Sequence, residues 1–148
     1  MPIDAIGLRQ AKATDAEFIY RVVETTMRAY VEQIWGSFSE EYNRKNAAES
    51  IAAGIYSVIE REGQDIGALA VERHPTHIQL TQMYIFPAHQ NLGIGTSLIR
   101  ELAREAKESN RPLRLRVLSV NPARRLYERE GFRVTSVTPE RVFMELRA

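Results

Sequence analysis

The chain contains no cysteine. Thiolate nucleophiles, thiolate zinc sites and disulfide frameworks are therefore excluded together, and a core must hold without covalent staples. Charge of one sign is also lacking: 20 basic residues meet 19 acidic ones, for a net charge of +1. That balance supplies no bulk attraction to nucleic acid or to a membrane surface, so neither partner is expected. No apolar run approaches the ~20 residues that a membrane span needs. Repeats, low-complexity tracts and linkers rich in Gly, Pro or Ser are missing too. The start, Met1-Pro2-Ile3-Asp4, has neither a basic nor an apolar leader region, so no secretory leader and a cytoplasmic location are expected. What remains is 148 residues with a hydrophobic fraction of 44%. Residues 1–148 are expected to form one domain, of a size that buries about 68–70% of its unfolded surface.

Hydrophobic periodicity divides this domain into elements. Ile6 to Ala13 reads as a strand. Thr14 or Asp15 offers an N-cap for a helix over Ala16 to Val31, whose Ile19, Val22, Val23, Met27 and Tyr30 recur at helical spacing. Trp35-Gly36 breaks that pattern. A second helix is predicted from Glu40 to Ala53, stopped by Gly54. Ile55 to Arg61 and Ile66 to Arg73 read as strands about the turn Glu62-Gly63-Gln64, and Ile78 to Phe86 as the next strand. Gly93 to Glu108 carries the helical stripe Ile94, Leu98, Leu102 and Ala106. Leu113, Leu115 and Val117 alternate with arginines as a strand does. Asn121 as N-cap and Pro122 at the first helical position open a helix that Gly131 closes. Strands follow at Phe132 to Val137 and Arg141 to Leu146. The order β-α-α-β-β-β-α-β-α-β-β predicts a mixed α/β (α+β) fold with helices on the faces of a central sheet.

Three stretches carry chemistry. The first, Gln90-Asn91-Leu92-Gly93-Ile94-Gly95, follows a strand and opens a helix. Its glycines allow a ligand to approach the backbone closely. Free N–H groups and the helix dipole at such a junction favour an anion such as a pyrophosphate. Taken alone, it reads first as an ordinary strand-to-helix turn. Two other phosphate loops are excluded by direct reading. No Gly-Lys-Ser/Thr exists for a Walker loop. A dinucleotide fingerprint would need a small residue where Leu98 stands and an acid after the next strand, where arginines lie.

The second stretch is the strand before that loop. Ile78 and Leu80 are apolar in one phase, Met83 and Ile85 in the other. Either a β-bulge near Thr81-Gln82-Met83 shifts the phase, or the strand is buried on both faces. The third stretch is Asn121-Pro122-Ala123-Arg124-Arg125-Leu126-Tyr127, where Ala123 and Tyr127 share a helix face. A phenol, with an ordinary pKa of about 10, can protonate a thiolate leaving group. A plain core tyrosine beside Leu126 and Phe132 is the competing reading.

Together these stretches resemble the GNAT (Gcn5-related) N-acetyltransferases. Gln90, Gly93 and Gly95 match the family's Gln/Arg-x-x-Gly-x-Gly/Ala motif. Asn121 through Phe132 is similar to its Asn…Ala…Leu-Tyr-x-x-x-Gly-Phe segment. The match is strong from Ile66 to Leu146 and holds only in outline before that. The resemblance implies a single GNAT-like domain with a twisted, mostly antiparallel mixed sheet of about seven strands and about four helices. It implies acetyl-CoA as co-substrate and no metal. The backbone of Leu92, Gly93, Ile94, Gly95 and Thr96, with Gln90 and Asn91, would hold the pyrophosphate. Tyr84, Ile85 and Phe86 would lie along the pantetheine arm and pair with it through backbone groups, and Asn121 would bond it. Arg124 or Arg125 would reach a phosphate. Tyr127 would be the general acid at sulfur, and a backbone N–H near Tyr84 would face the developing oxyanion. Relatives also self-associate, which makes a homodimer an expectation without an assigned face.

One departure stands out. Many relatives carry a glutamate on the strand that here reads Ile78-Gln79-Leu80-Thr81-Gln82-Met83-Tyr84, without a carboxylate. Gln82 can order a water but not take a proton. Glu72 and Glu32 are the remaining base candidates, each also readable as a solvated surface residue. Tyr30, Trp35 and Phe38 near the helix break, with Gln82, are the candidate lining for the acceptor amine. The aromatics read equally as caps on the core. Nearby Glu32, Glu40 and Glu41 would attract a cationic amine or simply be solvated. His74, His77 and His89 lack a third ligand and read as turn histidines. The acceptor is expected to be a primary amine of a small molecule or peptide. A non-catalytic acyl-CoA sensor, or an interaction domain whose loop is only a turn, are the other two readings.

Overall fold

The computed structural model describes residues 6–148; Met1 to Asp4, on which the leader expectation rests, lie outside the described residues. These form seven strands and four helices: β1 (Ile6–Gln10), α1 (Ala16–Trp35), α2 (Glu40–Ala52), β2 (Tyr56–Arg61), β3 (Gln64–Arg73), β4 (Ile78–Ile85), α3 (Ile94–Glu108), β5 (Leu113–Leu118), α4 (Arg124–Arg129), β6 (Arg133–Val137) and β7 (Arg141–Leu146). The strands make a seven-stranded sheet of order β1-β2-β3-β4-β5-β7-β6. All pairings described are antiparallel except the parallel β4–β5 pair. The mixed α/β class and the element order are those expected from the sequence. The described residues pack as two compact units, one within 1–70 with 82–94 and one of residues 71–81 with 95–148.

In the first unit, β1 and β2 pair from Ile6↔Arg61 to Gln10↔Ser57, and β2 folds onto β3 through the turn Glu62-Gly63. Helix α1 buries Ile19, Val22, Val23 and Met27, the stripe read from the sequence. It runs one turn beyond Val31, and the Gly36 N–H closes it on the Glu32 carbonyl at 2.7 Å. Helix α2 is capped by Ser39, whose hydroxyl accepts from the Tyr42 N–H at 3.0 Å. It lays Ala47 and Ile51 on a core of Ala11, Ile19, Tyr56, Val58, Ala68 and Ala70.

Neither Thr14 nor Asp15 caps α1 with its side chain. A 3-10 turn, Ala13–Asp15, precedes the helix instead. The Asp15 carboxylate accepts the Lys12 N–H at 2.8 Å and both terminal nitrogens of Arg9 at 2.9 Å. Arg9 also reaches Asp65 at 3.0 Å, so one guanidinium ties the first strand to two later segments. Its bond holds the Asp15 carboxyl below the usual carboxylate range, with the Lys12 N–H adding to that. A depressed folded-state pKa gives stability that is fully present above the unfolded value of about 3.9 and is lost as pH falls through the folded one. Asp15→Asn is therefore expected to cost about 2 kcal/mol at neutral pH. Urea unfolding from pH 7 down to pH 2 should show the wild type converging on the variant only at the acid end. Parallel curves throughout would remove Asp15 as an acid-labile strut.

In the second unit, β5 sits between β4 and β7. It pairs with β4 from Ile78↔Leu113 to Leu80↔Leu115 and with β7 along its whole length, Leu113↔Leu146 to Leu118↔Arg141. Strand β6 follows on β7 with a register shift between Val134 and Ser136. Leu98, Ile99, Leu102 and Ala106 of α3 are buried, as are Leu113, Leu115, Val142 and Met144. Helix α4 starts later than Pro122. Asn121 Oδ1 takes the Ala123 N–H at 2.9 Å, which makes an Asx turn before the helix rather than a cap on it.

Candidate active site

The loop after β4 is built by local bonds. The Phe86 N–H donates to the Ile66 carbonyl at 2.9 Å, and Pro87–His89 forms a 3-10 turn closed by His89 N–H on the Phe86 carbonyl. The Gln90 Nε2 donates back to the Ile85 carbonyl at 2.8 Å. Gln90 is thus a strap across its own loop, held by its side chain. Beyond it, Asn91 has φ 62° and Gly93 φ 83°. Two left-handed residues flanking Leu92 curl the backbone so that successive N–H groups can converge on one side, as anion-binding nests do. None of the turn and loop backbone bonds described uses the N–H of Asn91, Leu92 or Gly93. Ile94, 1% exposed, anchors the start of α3, whose first turn leaves its N–H groups without helical partners. No acidic side chain stands between Gln90 and Thr96. Asn91, expected at the pyrophosphate, adds a left-handed turn that the motif does not specify; Asn tolerates that region.

Met83, Tyr84, Ile85 and Phe86 are only half-buried, so the reading in which β4 is buried on both faces fails for its second half. A local irregularity lies at Tyr84–Ile85. A Cβ built on Gly67 of β3 would overlap the Tyr84 carbonyl oxygen and stand 3.1 Å from Ile85 Cα. In a regular ladder, carbonyls lie near the sheet plane and Cβ atoms stand out of it, so the Tyr84 carbonyl is turned from its regular place. Sequence reading missed Gly67, although a lone glycine inside a strand signals such an approach. Phe86 has both backbone groups engaged within the chain and packs its ring edge-on to Phe18, with centroids 5.7 Å apart. The Phe86 N–H is thus committed to Ile66, while its carbonyl, like that of Ile85, keeps a second lone pair for a ligand.

Among the acceptor-side candidates, Tyr30 is half-buried and Trp35 is 47% exposed. Phe38 turns toward Tyr20, at 6.4 Å between centroids, and Arg28 lies 5.5 Å over its ring. Glu32 faces Arg28 at 3.4 Å and Glu40 faces Arg44 at 3.6 Å. Their charge is compensated locally, which weakens them as lures for a cation. Gln82 meets Tyr56: the buried Tyr56 hydroxyl donates to its Oε1.

In the second unit, Glu72 accepts from the Thr81 hydroxyl at 3.1 Å and faces His74 Nε2 at 3.5 Å. His74 stacks on His77 with centroids 4.7 Å apart, and no group of three or more metal-ligating side chains occurs among the described residues. Tyr127 is 5% exposed and meets Phe132 edge-on at 5.6 Å. Arg124 is half-buried and lies 3.6 Å from Glu128.

A model of the acetyltransferase (GNAT) domain matches residues 52–134, more than half of the chain. The chain belongs to the GNAT acetyltransferase family. Solved structures of similar fold span nearly its whole length. PaiA N-acetyltransferase from Thermoplasma acidophilum, in complex with coenzyme A, is 19% identical, with a TM-score of 0.78 over 97% of this chain and 99% of that one. An acetyltransferase from Thermus thermophilus is 17% identical, with a TM-score of 0.79 over 100% of both chains. Arabidopsis thaliana Naa50, in complex with the bisubstrate analogue CoA-Ac-MVNAL, is 14% identical, with a TM-score of 0.71 over 97% and 99%. No curated protein matches the chain in sequence. The family match covers β3, β4, the Gln90–Gly95 loop and Tyr127, and the GNAT fold accounts for the seven-stranded sheet. Among the described residues of this GNAT chain, no helix is long and apolar enough to cross a membrane.

Proposed function

We propose that the chain is an acetyl-CoA-dependent N-acetyltransferase that moves the acetyl group directly to a primary amine of a small molecule or peptide. The observation that carries this reading is the loop from Gln90 to Gly95. It is strapped by Gln90, curled by Asn91 and Gly93, and free of acidic side chains. Its N–H groups fit a pyrophosphate, with those of Gly95 and Thr96 continuing the cradle. Family membership supports the acetyl donor, and the Thermoplasma and Arabidopsis proteins were seen with coenzyme A and a coenzyme A conjugate.

In this reading Asn121 bonds the pantetheine arm and Arg124 a phosphate. The amine attacks as its neutral form. A C–N bond forms, the C–S bond breaks, and the amine's surplus proton passes to water, since β4 carries no carboxylate. A backbone N–H of the Tyr84–Ile85 stretch stabilises the carbonyl oxygen as it gains charge. Tyr127 gives its proton to the leaving sulfur. Glu72, with Thr81 and His74 on its two oxygens, and Glu32, beside Arg28, serve as structural partners rather than as a base.

Thermal unfolding with acetyl-CoA, coenzyme A and NADPH tests the coenzyme site. A ligand that binds only the native state adds about 2.7 kcal/mol at a hundredfold excess over Kd. A rise in midpoint is expected with both coenzyme A species and not with NADPH. No rise at millimolar acetyl-CoA would reduce the loop to a turn and end the reading. A non-catalytic acyl-CoA sensor would show the same rise but no turnover.

A further inference from the structure

Tyr56 is one of the largest fully buried side chains in the protein. Its hydroxyl donates to Oε1 of Gln82 on β4, a strand without a carboxylate. In the structure the Gln82 amide lies with its oxygen toward the Tyr56 hydroxyl and its NH₂ turned away from it. Among the described residues that NH₂ meets no acceptor, yet no buried side-chain nitrogen or oxygen there lacks a partner. Gln82 Nε2 thus has open surface. Gln82 lies two residues before Tyr84 on the same strand. Burial, and then the neighbouring Tyr84, push the Tyr56 phenol above its ordinary range. It stays a donor across neutral and alkaline pH, where acetyl transfer would be run.

An open N–H donor is of no use to a cationic amine and well suited to a carbonyl oxygen. Resting on the acetyl-transfer reading above, we propose that Gln82 determines specificity by donating to a carbonyl adjacent to the acceptor amine, with Tyr56 as the residue that positions it. The preferred acceptors are then aminoacyl amides or peptides rather than simple alkylamines.

The test compares alaninamide with isobutylamine, as kcat/KM per neutral amine at one pH, with the coenzyme A midpoint shift measured in parallel. The wild type should prefer alaninamide by about tenfold or more. Gln82→Glu keeps the shape and the bond from Tyr56 but replaces the donor by an acceptor, and should abolish the preference. Tyr56→Phe should lower the preference while leaving the coenzyme A shift intact. Equal rates on both amines in the wild type would overturn the proposal and leave acetyl transfer standing. So would an unchanged ratio in Gln82→Glu, even where Tyr56→Phe fails to fold. No transfer to either amine despite a coenzyme A shift would overturn the proposal together with the transferase reading.

Discussion

Tyr127→Phe is expected to lower turnover by about 10²–10⁴-fold, the range for losing a positioned proton donor, with little change in coenzyme affinity. Tyr127 is buried and its ring meets Phe132 edge-on. Phenylalanine keeps that ring and its packing, so the variant should fold and differ by one oxygen. A group acting only as the C–S bond breaks contributes to the transition state and not to ground-state binding. The loss should therefore fall on kcat, with the coenzyme A midpoint shift unchanged. Steady-state kinetics on any amine that the wild type acetylates gives the readout. Turnover equal to wild type would assign Tyr127 to the core alone and leave the leaving sulfur without a donor.

The largest effect on stability is expected from Gly67→Ala. The added methyl would overlap the Tyr84 carbonyl oxygen, with Ile85 Cα at 3.1 Å and Ile59 Cδ1 at 3.3 Å. Two of these obstacles are backbone, which cannot rotate aside as a side-chain tip can. Overpacking of this kind costs about 1–3 kcal/mol and occasionally more. The upper end is expected here, because relief requires β4 to move where Phe86 is hydrogen-bonded to Ile66. Urea unfolding measures the cost. In a variant that still folds, coenzyme A binding should also weaken, because the Tyr84–Ile85 stretch lies just before the Gln90 strap. A midpoint within about 0.5 kcal/mol of wild type, the scatter of ordinary surface changes, would mean that the close approach is not fixed.

The candidate site was only partly legible in the sequence. Gln90, Gly93 and Gly95 stood out only together with the Asn121–Phe132 segment, because a glycine pair between a strand and a helix is by itself an ordinary turn. Asn91 was legible as part of that loop, but only the backbone angle reveals its left-handed turn. Tyr56 read as an interior residue of the Ile55–Arg61 strand, and Gln82 as a water-ordering residue of the acceptor lining. That the two meet depends on a contact between residues 26 positions apart. Asp15 read as a helix cap, but its oxygens went to the Arg9 guanidinium and the Lys12 N–H instead, because folding brings a bidentate cation from the first strand onto both of them. The length of α1 was underestimated by one turn, since local spacing says where apolar residues recur but not where the last exposed turn frays.

What the sequence determined by itself is what depends on neighbours in the chain: the element order, the α/β class, the stripes of α1 and α3, and the loop motif that carries the family resemblance. Periodicity and turn chemistry act over a few residues and can be read there. The tertiary structure alone decided which oxygen Tyr56 bonds, which carboxylates are paired with arginines, and why β3 carries a glycine at position 67. Each of these depends on backbone or side-chain atoms that folding brings within a few ångströms from distant positions, and no local pattern encodes that distance.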